Sequence, residues 1–231
     1  MAGRLMLEHK GIAYQRVDLI PGLHKPILRV LGFKDTTVPA LRIDGRRIQG
    51  TLRISKSLDE LCPDPPLFPE DEAARAAVEL AERWGEGQLQ PVPRRLTWWA
   101  VRRNRPAVRG FLEGARLHVP LGLVVRTAGP VIWAEVRINR ATDVAVQADL
   151  AALPAMLDQV DAWLSDGVLG GQPPTAADYQ IATSVRLLLC SEDLRETIGL
   201  RPAAKYARTL VSDFPGEFPP VFPEAWIAGL R

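Results

Sequence analysis

Cysteine, histidine, net charge and long apolar runs are all scarce in this chain of 231 residues, and each scarcity excludes a class of protein. Cys62 and Cys190 stand far apart and outside any CxxC spacing, which argues against a zinc site or a dithiol redox motif. His9, His24 and His118 have no carboxylate or cysteine at ligand spacing, so no metal site is expected. With 29 basic and 27 acidic side chains the formal net charge is only +2, so nucleic-acid or membrane binding would need a local cluster. The most apolar stretch, residues 119–133, contains Pro120, Arg126 and Pro130 and falls short of the roughly 20 apolar residues a membrane span requires. Glu8, His9 and Lys10 interrupt the start before the apolar core of a signal peptide could develop. A soluble protein of a reducing cytoplasm, with no membrane partner, is the expectation.

What is present describes a folded protein. Hydrophobic residues make up 47% and charged residues 24%, the balance of a globular chain, and the length suggests two domains. The first sixty residues change period repeatedly, as a small α/β unit does. Ala2, Leu5, Met6 and His9 share a helix face, with Gly11 as its stop. Residues 12–19 read as a strand, Pro21-Gly22 as a turn and residues 26–31 as a short helix. Residues 38–43 and 46–49 read as two strands joined by the Asp44-Gly45 hairpin. Leu52, Ile54, Leu58 and Leu61 then follow helical spacing, with the Thr51 hydroxyl placed to cap the start. Four prolines crowd residues 62–70 and break both helix and ladder. Beyond them residues 70–84, 151–164 and 179–189 carry helical periodicity, and residues 214–223 alternate aromatic residues with proline, as a packed extended strap would. The domains are therefore read as 1–61, a linker over 62–69, and an all-helical 70–231.

The run Thr37-Val38-Pro39-Ala40-Leu41, the Asp44-Gly45 hairpin, Gly50-Thr51 and the proline-rich residues 63–69 resemble, in that order, the glutathione-binding half of the glutathione S-transferases. A second similarity lies at residues 170–182, where Thr175 and Asp178 look like the family's capping box. The resemblance implies an α/β plus all-α fold, with a thioredoxin-like N-terminal domain followed by a larger helical bundle. It implies glutathione as co-substrate, a small hydrophobic electrophile as the second substrate, and a homodimer. Val38, Pro39, Gly50 and Thr51 are the glutathione-binding candidates it carries over. Chemically, a cis bond between Val38 and Pro39 would turn the Val38 backbone outward toward an extended peptide, and a helix starting at Gly50-Thr51 offers free amides to a carboxylate.

Three departures limit the transfer. Gly50 stands where the family has an acidic residue or glutamine. The chain begins inside the family's first helix, so the strand and turn bearing its catalytic Tyr, Ser or Cys are missing and the catalytic residue is unknown. Residues 96–141, where the electrophile pocket is usually found, match nothing in detail. A thioredoxin-like sheet lacking its first strand would leave unpaired backbone groups, so the native start is expected about twenty residues upstream.

Arg94, Arg95, Arg102, Arg103, Arg105, Arg109 and Arg116 interleave with Trp98, Trp99 and Phe111, a pattern open to three readings. They are a nucleic-acid platform, an apolar pocket with an arginine for an anionic substrate, or a solvated face whose tryptophans enter the core. The last is preferred, so no nucleic-acid partner is expected. Cys62 ends its helix, where the dipole does not favour a thiolate, and is not expected to be catalytic. Cys190 reads as core. Asp178 is given a folding role. The rival to a transferase is a non-catalytic binding or assembly module of the same fold.

Overall fold

In the computed structural model residues 1–19, 24–112 and 120–230 are described, and the expected turn at Pro21-Gly22 lies outside them. Helix α1 (Ala2–His9) ends before Gly11, whose φ of 64° reverses the chain without a side-chain clash. It buries Ala2, Gly3, Met6 and Leu7. Lys10, just beyond it, sends a buried ammonium to Asp59 at 3.0 Å and to the Cys62 carbonyl at 2.6 Å. Asp59 also accepts the Leu67 amide at 2.7 Å, so one ion pair ties the end of the first helix to the start of the linker.

The segment 12–19 is not a strand. It forms no ladder, and Tyr14 and Val17 stand exposed. A strand is defined by its hydrogen-bonded neighbour, and among the described residues β1 (Ala40–Ile43) and β2 (Arg46–Gln49) pair only with each other, antiparallel, Ala40 opposite Gln49 and Ile43 opposite Arg46. The hairpin forms where expected because Asp44 and Gly45 both adopt positive φ, 47° and 76°, as a two-residue turn of this hand demands. Before it, α2 (His24–Val30) is held at its C-terminal end by Arg47, whose Nε donates to the Leu31 carbonyl at 2.8 Å.

After the sheet comes α3 (Thr51–Leu61), which packs Ile54 and Leu58 against α1, and then a linker without regular structure as far as Asp71. Every later regular element is helical among the described residues. The Asp71 side chain caps α4 (Glu72–Trp84) by accepting the Ala74 amide at 2.8 Å. A single π-helical turn, Gly85–Leu89, joins it to α5 (Pro91–Arg103). Short helices α6 (Val108–Leu112), α7 (Leu121–Thr127) and α8 (Gly129–Ile138) precede α9 (Asp143–Ser165). That last helix starts earlier than the expected Ala151, because Thr142 caps it through the Ala145 amide at 3.2 Å.

Helix α10 (Ala176–Leu188) runs through the centre, its first ten residues all buried. It is followed by α11 (Glu192–Ile198) and α12 (Pro202–Leu210). Because α10 touches α1, α4, α5 and α12, one continuous core joins Met6, Leu7, Ile54 and Leu58 to Leu96, Trp99, Leu153 and Ile181. The expected strap runs from α12 to the final short helix, α13 (Glu224–Ile227). In it the Phe218 amide donates to the Cys190 carbonyl at 3.0 Å, and Asp193 accepts the Val221 and Phe222 amides at 2.7 and 3.0 Å. Phe222 stacks on Trp99 with ring centres 5.2 Å apart.

Candidate functional site

The four site residues expected from the sequence meet at one corner, where β1 begins and β2 runs into α3. Pro39 accepts the Gly50 amide through its carbonyl at 3.0 Å, which fixes the two segments side by side. The Val38–Pro39 bond is cis, Val38 is half exposed, and neither its amide nor its carbonyl has a backbone partner among the described residues. A strand edge with unpaired groups offers one donor and one acceptor to an extended peptide.

The cap at α3 differs from the expectation. Thr51 is the first helical residue, and Gly50, at φ 86° and ψ 144°, holds the cap position without a side-chain bond. The Thr51 hydroxyl therefore sits one residue too late to cap, and it makes no hydrogen bond among the described residues. The first intrahelical bond is Ile54 amide to Gly50 carbonyl at 3.1 Å, so the amides of Thr51, Leu52 and Arg53 remain available at the positive end of the helix dipole. Such an end suits a carboxylate. Gly50 is required by its conformation: a Cβ there would meet nothing within 4 Å, but its positive φ would be strained for any other residue.

Gln49 is the residue that sequence reasoning missed. It is buried, its Oε1 accepts the Asp35 amide at 2.8 Å, and its Nε2 donates to the carbonyls of Asp35 at 2.8 Å and Thr37 at 3.2 Å. It thereby holds residues 35–37 in place immediately before Val38. The signal available was a lone polar side chain closing a strand of otherwise arginine-rich, exposed positions. Arg53 on α3 faces Asp35 at 3.8 Å, adding a cation at the rim. The corner offers backbone pairing at Val38 and open amides for a carboxylate at the helix start. It supplies no group, among the described residues near it, that would activate a thiol.

Two clefts lie elsewhere. One of about 390 Å³ runs between the linker and α4, lined by Pro66, Phe68, Val78 and Pro173. Another of similar volume is bordered by Asp193, Glu196, Thr197 and Ile227.

The remaining candidates resolve into structure. Trp99 is buried, donates its indole N–H to Asp143 at 2.8 Å, and carries the Arg103 guanidinium 3.5 Å over its ring. Arg95 grips Asp149 with bonds of 2.6 and 2.5 Å. Those residues match the core reading of the arginine–tryptophan cluster; Arg116 lies outside the described residues. Burial pushes the Cys190 thiol up to about 12, in keeping with an inert core cysteine. No group of three or more His, Cys, Asp or Glu that could hold a metal occurs among the described residues.

Residues 1–66 match the family model of the glutathione S-transferase N-terminal domain. Among solved structures, the chain is similar to a Tau class glutathione S-transferase from mango, Mangifera indica, at 18% identity and TM-score 0.53, covering 92% of this chain and 83% of that one. It is similar also to a glutathione S-transferase from Rhodospirillum rubrum F11, at 21% identity and TM-score 0.51, covering 92% and 82%. No curated protein sequence matches it. The sheet and helical bundle are thus the two halves of one fold, a thioredoxin-like N-terminal domain and a helical C-terminal domain.

Proposed function

We propose that this chain, a member of the glutathione S-transferase superfamily, binds glutathione at the Val38–Pro39 and Gly50–Thr51 corner and transfers it to a small hydrophobic electrophile. The observation that carries the reading is the pairing of an unsatisfied Val38 backbone with three open amides at the start of α3. Val38 would pair with the cysteinyl unit, and the α3 amides with Thr51 would hold the γ-glutamyl carboxylate. Glutathione bound there supplies the nucleophilic sulfur. Its thiol has a cysteine-like pKa of about 8.5, and lowering that toward neutrality raises the thiolate fraction. The reading includes a homodimer in the cytoplasm, each chain divided at residues 62–69.

The lack of a thiol-activating side chain among the described residues of this corner favours a second reading, a glutathione-binding module without turnover. Retention on immobilised glutathione together with a conjugation assay separates the two: retention and turnover support the transferase, retention alone supports the module, and neither result sinks both.

Two substitutions test the site itself. Because the Thr51 hydroxyl has no partner among the described residues, Thr51→Val is expected to leave stability within about 0.5 kcal/mol. Glutathione retention should fall roughly tenfold or more, as for a lost hydrogen bond to a charged group. Equal retention by the two proteins would remove Thr51 from the site. Gly50→Ala forces a strained φ on an L residue at about 1–2 kcal/mol, measurable as a lower midpoint in urea. It should weaken retention through the displaced helix start.

A further inference from the structure

Residues 91–142 hold ten arginines and only two glutamates, although the whole chain is nearly neutral at +2. Arg95 and Arg103 are taken up by Asp149 and Asp143, while Arg126, Arg137 and Arg140 stand exposed on or just after two helices whose surface is unusually apolar. Helix α7 has no buried residue although its sequence is Leu-Gly-Leu-Val-Val-Arg-Thr. Helix α8 buries only Ile132, which packs with Val101, Val108 and Ala128 in a small core separate from the main one. On a helix, positions 133, 137 and 138 lie away from the Ile132 and Val136 side, and Trp133 and Ile138 are accordingly 66% and 60% exposed. Leu123 on α7 is 56% exposed. Arginines stand among them: Arg137 lies 5.8 Å from the Trp133 ring centre, and Arg126 and Arg140 are exposed without an ion-pair partner among the described residues.

An exposed aliphatic and tryptophan face set among unpaired arginines is costly in water and calls for a partner that is both anionic and apolar. We propose that the α7–α8 face docks peripherally on an anionic lipid bilayer, with Leu123, Trp133 and Ile138 entering the headgroup boundary and Arg126, Arg137 and Arg140 pairing with lipid phosphates and carboxylates. Charge complementarity selects this occupant. A second copy meeting the same face about a two-fold axis would bring arginine against arginine. A nucleic acid would need planar side chains to stack on, and this face offers Trp133 amid Leu and Ile, while Trp99 is buried. Tryptophan with flanking arginine is what the bilayer interface favours. The proposal departs from the sequence-based expectation of no membrane partner, since no described helix is long and apolar enough to cross a membrane but this face can lie on one.

The full chain should co-float with vesicles of phosphatidylcholine containing phosphatidylserine and remain free of vesicles of phosphatidylcholine alone. Replacing Arg126 and Arg137 together by glutamine should lower partitioning about 25-fold, roughly fivefold for each arginine. Trp133→Ser with Ile138→Ser should lower it by a similar factor. All four positions are exposed, so far-ultraviolet circular dichroism should be unchanged. Equal flotation with neutral vesicles, flotation insensitive to both double variants, or retention on DNA in place of vesicles would overturn the proposal. So would a dimer that sedimentation shows to dissociate when Trp133 and Ile138 are replaced.

Discussion

Asp178→Ala is expected to destabilise the fold by about 3–5 kcal/mol, because it breaks a buried hydrogen-bond network and strands its donors. The carboxylate is fully buried and accepts from the Gly170 amide at 2.8 Å, the Thr175 amide at 2.7 Å, the Thr175 hydroxyl at 2.7 Å and the Tyr206 hydroxyl. A capping box alone is worth about 0.5–2 kcal/mol, the role the sequence suggests. The structure adds a loop amide eight residues away and a phenol from α12, so alanine would strand several donors at about 1–3 kcal/mol each. Burial and the adjacent carboxylate push the Tyr206 phenol far above its ordinary range, which keeps it a donor at any workable pH. Tyr206→Phe removes one of the bonds and should cost about 1.5–3 kcal/mol. For a chain of 231 residues, a loss of about 4 kcal/mol lowers the thermal midpoint by about 8–16 °C. A midpoint within about 3 °C of the parent, a loss of no more than about 1.5 kcal/mol, would show that Asp178 carries no more than a cap.

Glu82 carries the second large effect, one that depends on pH. This side chain lies in α4, 1% exposed, with Oε1 unpartnered, and Gln180, which faces Gly85 in the neighbouring turn, is also without a side-chain partner among the described residues. Burial raises the Glu82 carboxyl to about 7, with Glu86 and Glu79 pushing the same way, while the Ser55 hydroxyl and Lys56 oppose the rise. Below about pH 4.5 the carboxyl is neutral in both folded and unfolded chains, and no penalty exists. Between about 4.5 and 7 the unfolded chain releases its proton and the folded chain does not, so stability falls as pH rises; above 7 the loss levels off. A shift of this size corresponds to about 3 kcal/mol. Glu82→Gln should therefore equal the parent near about pH 4.5 and exceed its stability by about 3 kcal/mol at about pH 8, measured by urea denaturation. His9, lowered by burial, loses stability as pH falls, but it is common to both proteins and cancels in their difference. Parallel stability curves from about pH 5 to 8 would refute a buried neutral Glu82.

How much of the fold and the corner site was legible in the sequence follows from the range of each interaction. The α1 helix, the Asp44-Gly45 hairpin, the Thr175–Asp178 box and the proline-rich linker are local devices, in which a few neighbouring residues settle the backbone. Residues 12–19 have apolar alternation, yet alternation does not create a hydrogen-bonded neighbour, and the segment stays outside the sheet. The Thr51 cap failed by one position, since the conformation of Gly50 decides where the helix starts. Gln49 showed in the sequence only as a lone polar residue closing β2, since its partners, Asp35 and Thr37, are brought to it by the hairpin fold.

The residues of the candidate peptide-binding corner came from the family resemblance, whereas the sequence by itself determined the Asp44-Gly45 hairpin, the proline-rich break and the division into a small mixed half and a helical half. Those follow from turn chemistry, periodicity and proline, all of which act over a few residues. Only the tertiary structure decided that Asp178 ties three elements together, that Glu82 is buried without a full set of partners, and that α7 and α8 leave an apolar, arginine-rich face uncovered. Each of these depends on which helix packs against which, and burial turns an ordinary carboxylate or tryptophan into one with a large energetic consequence.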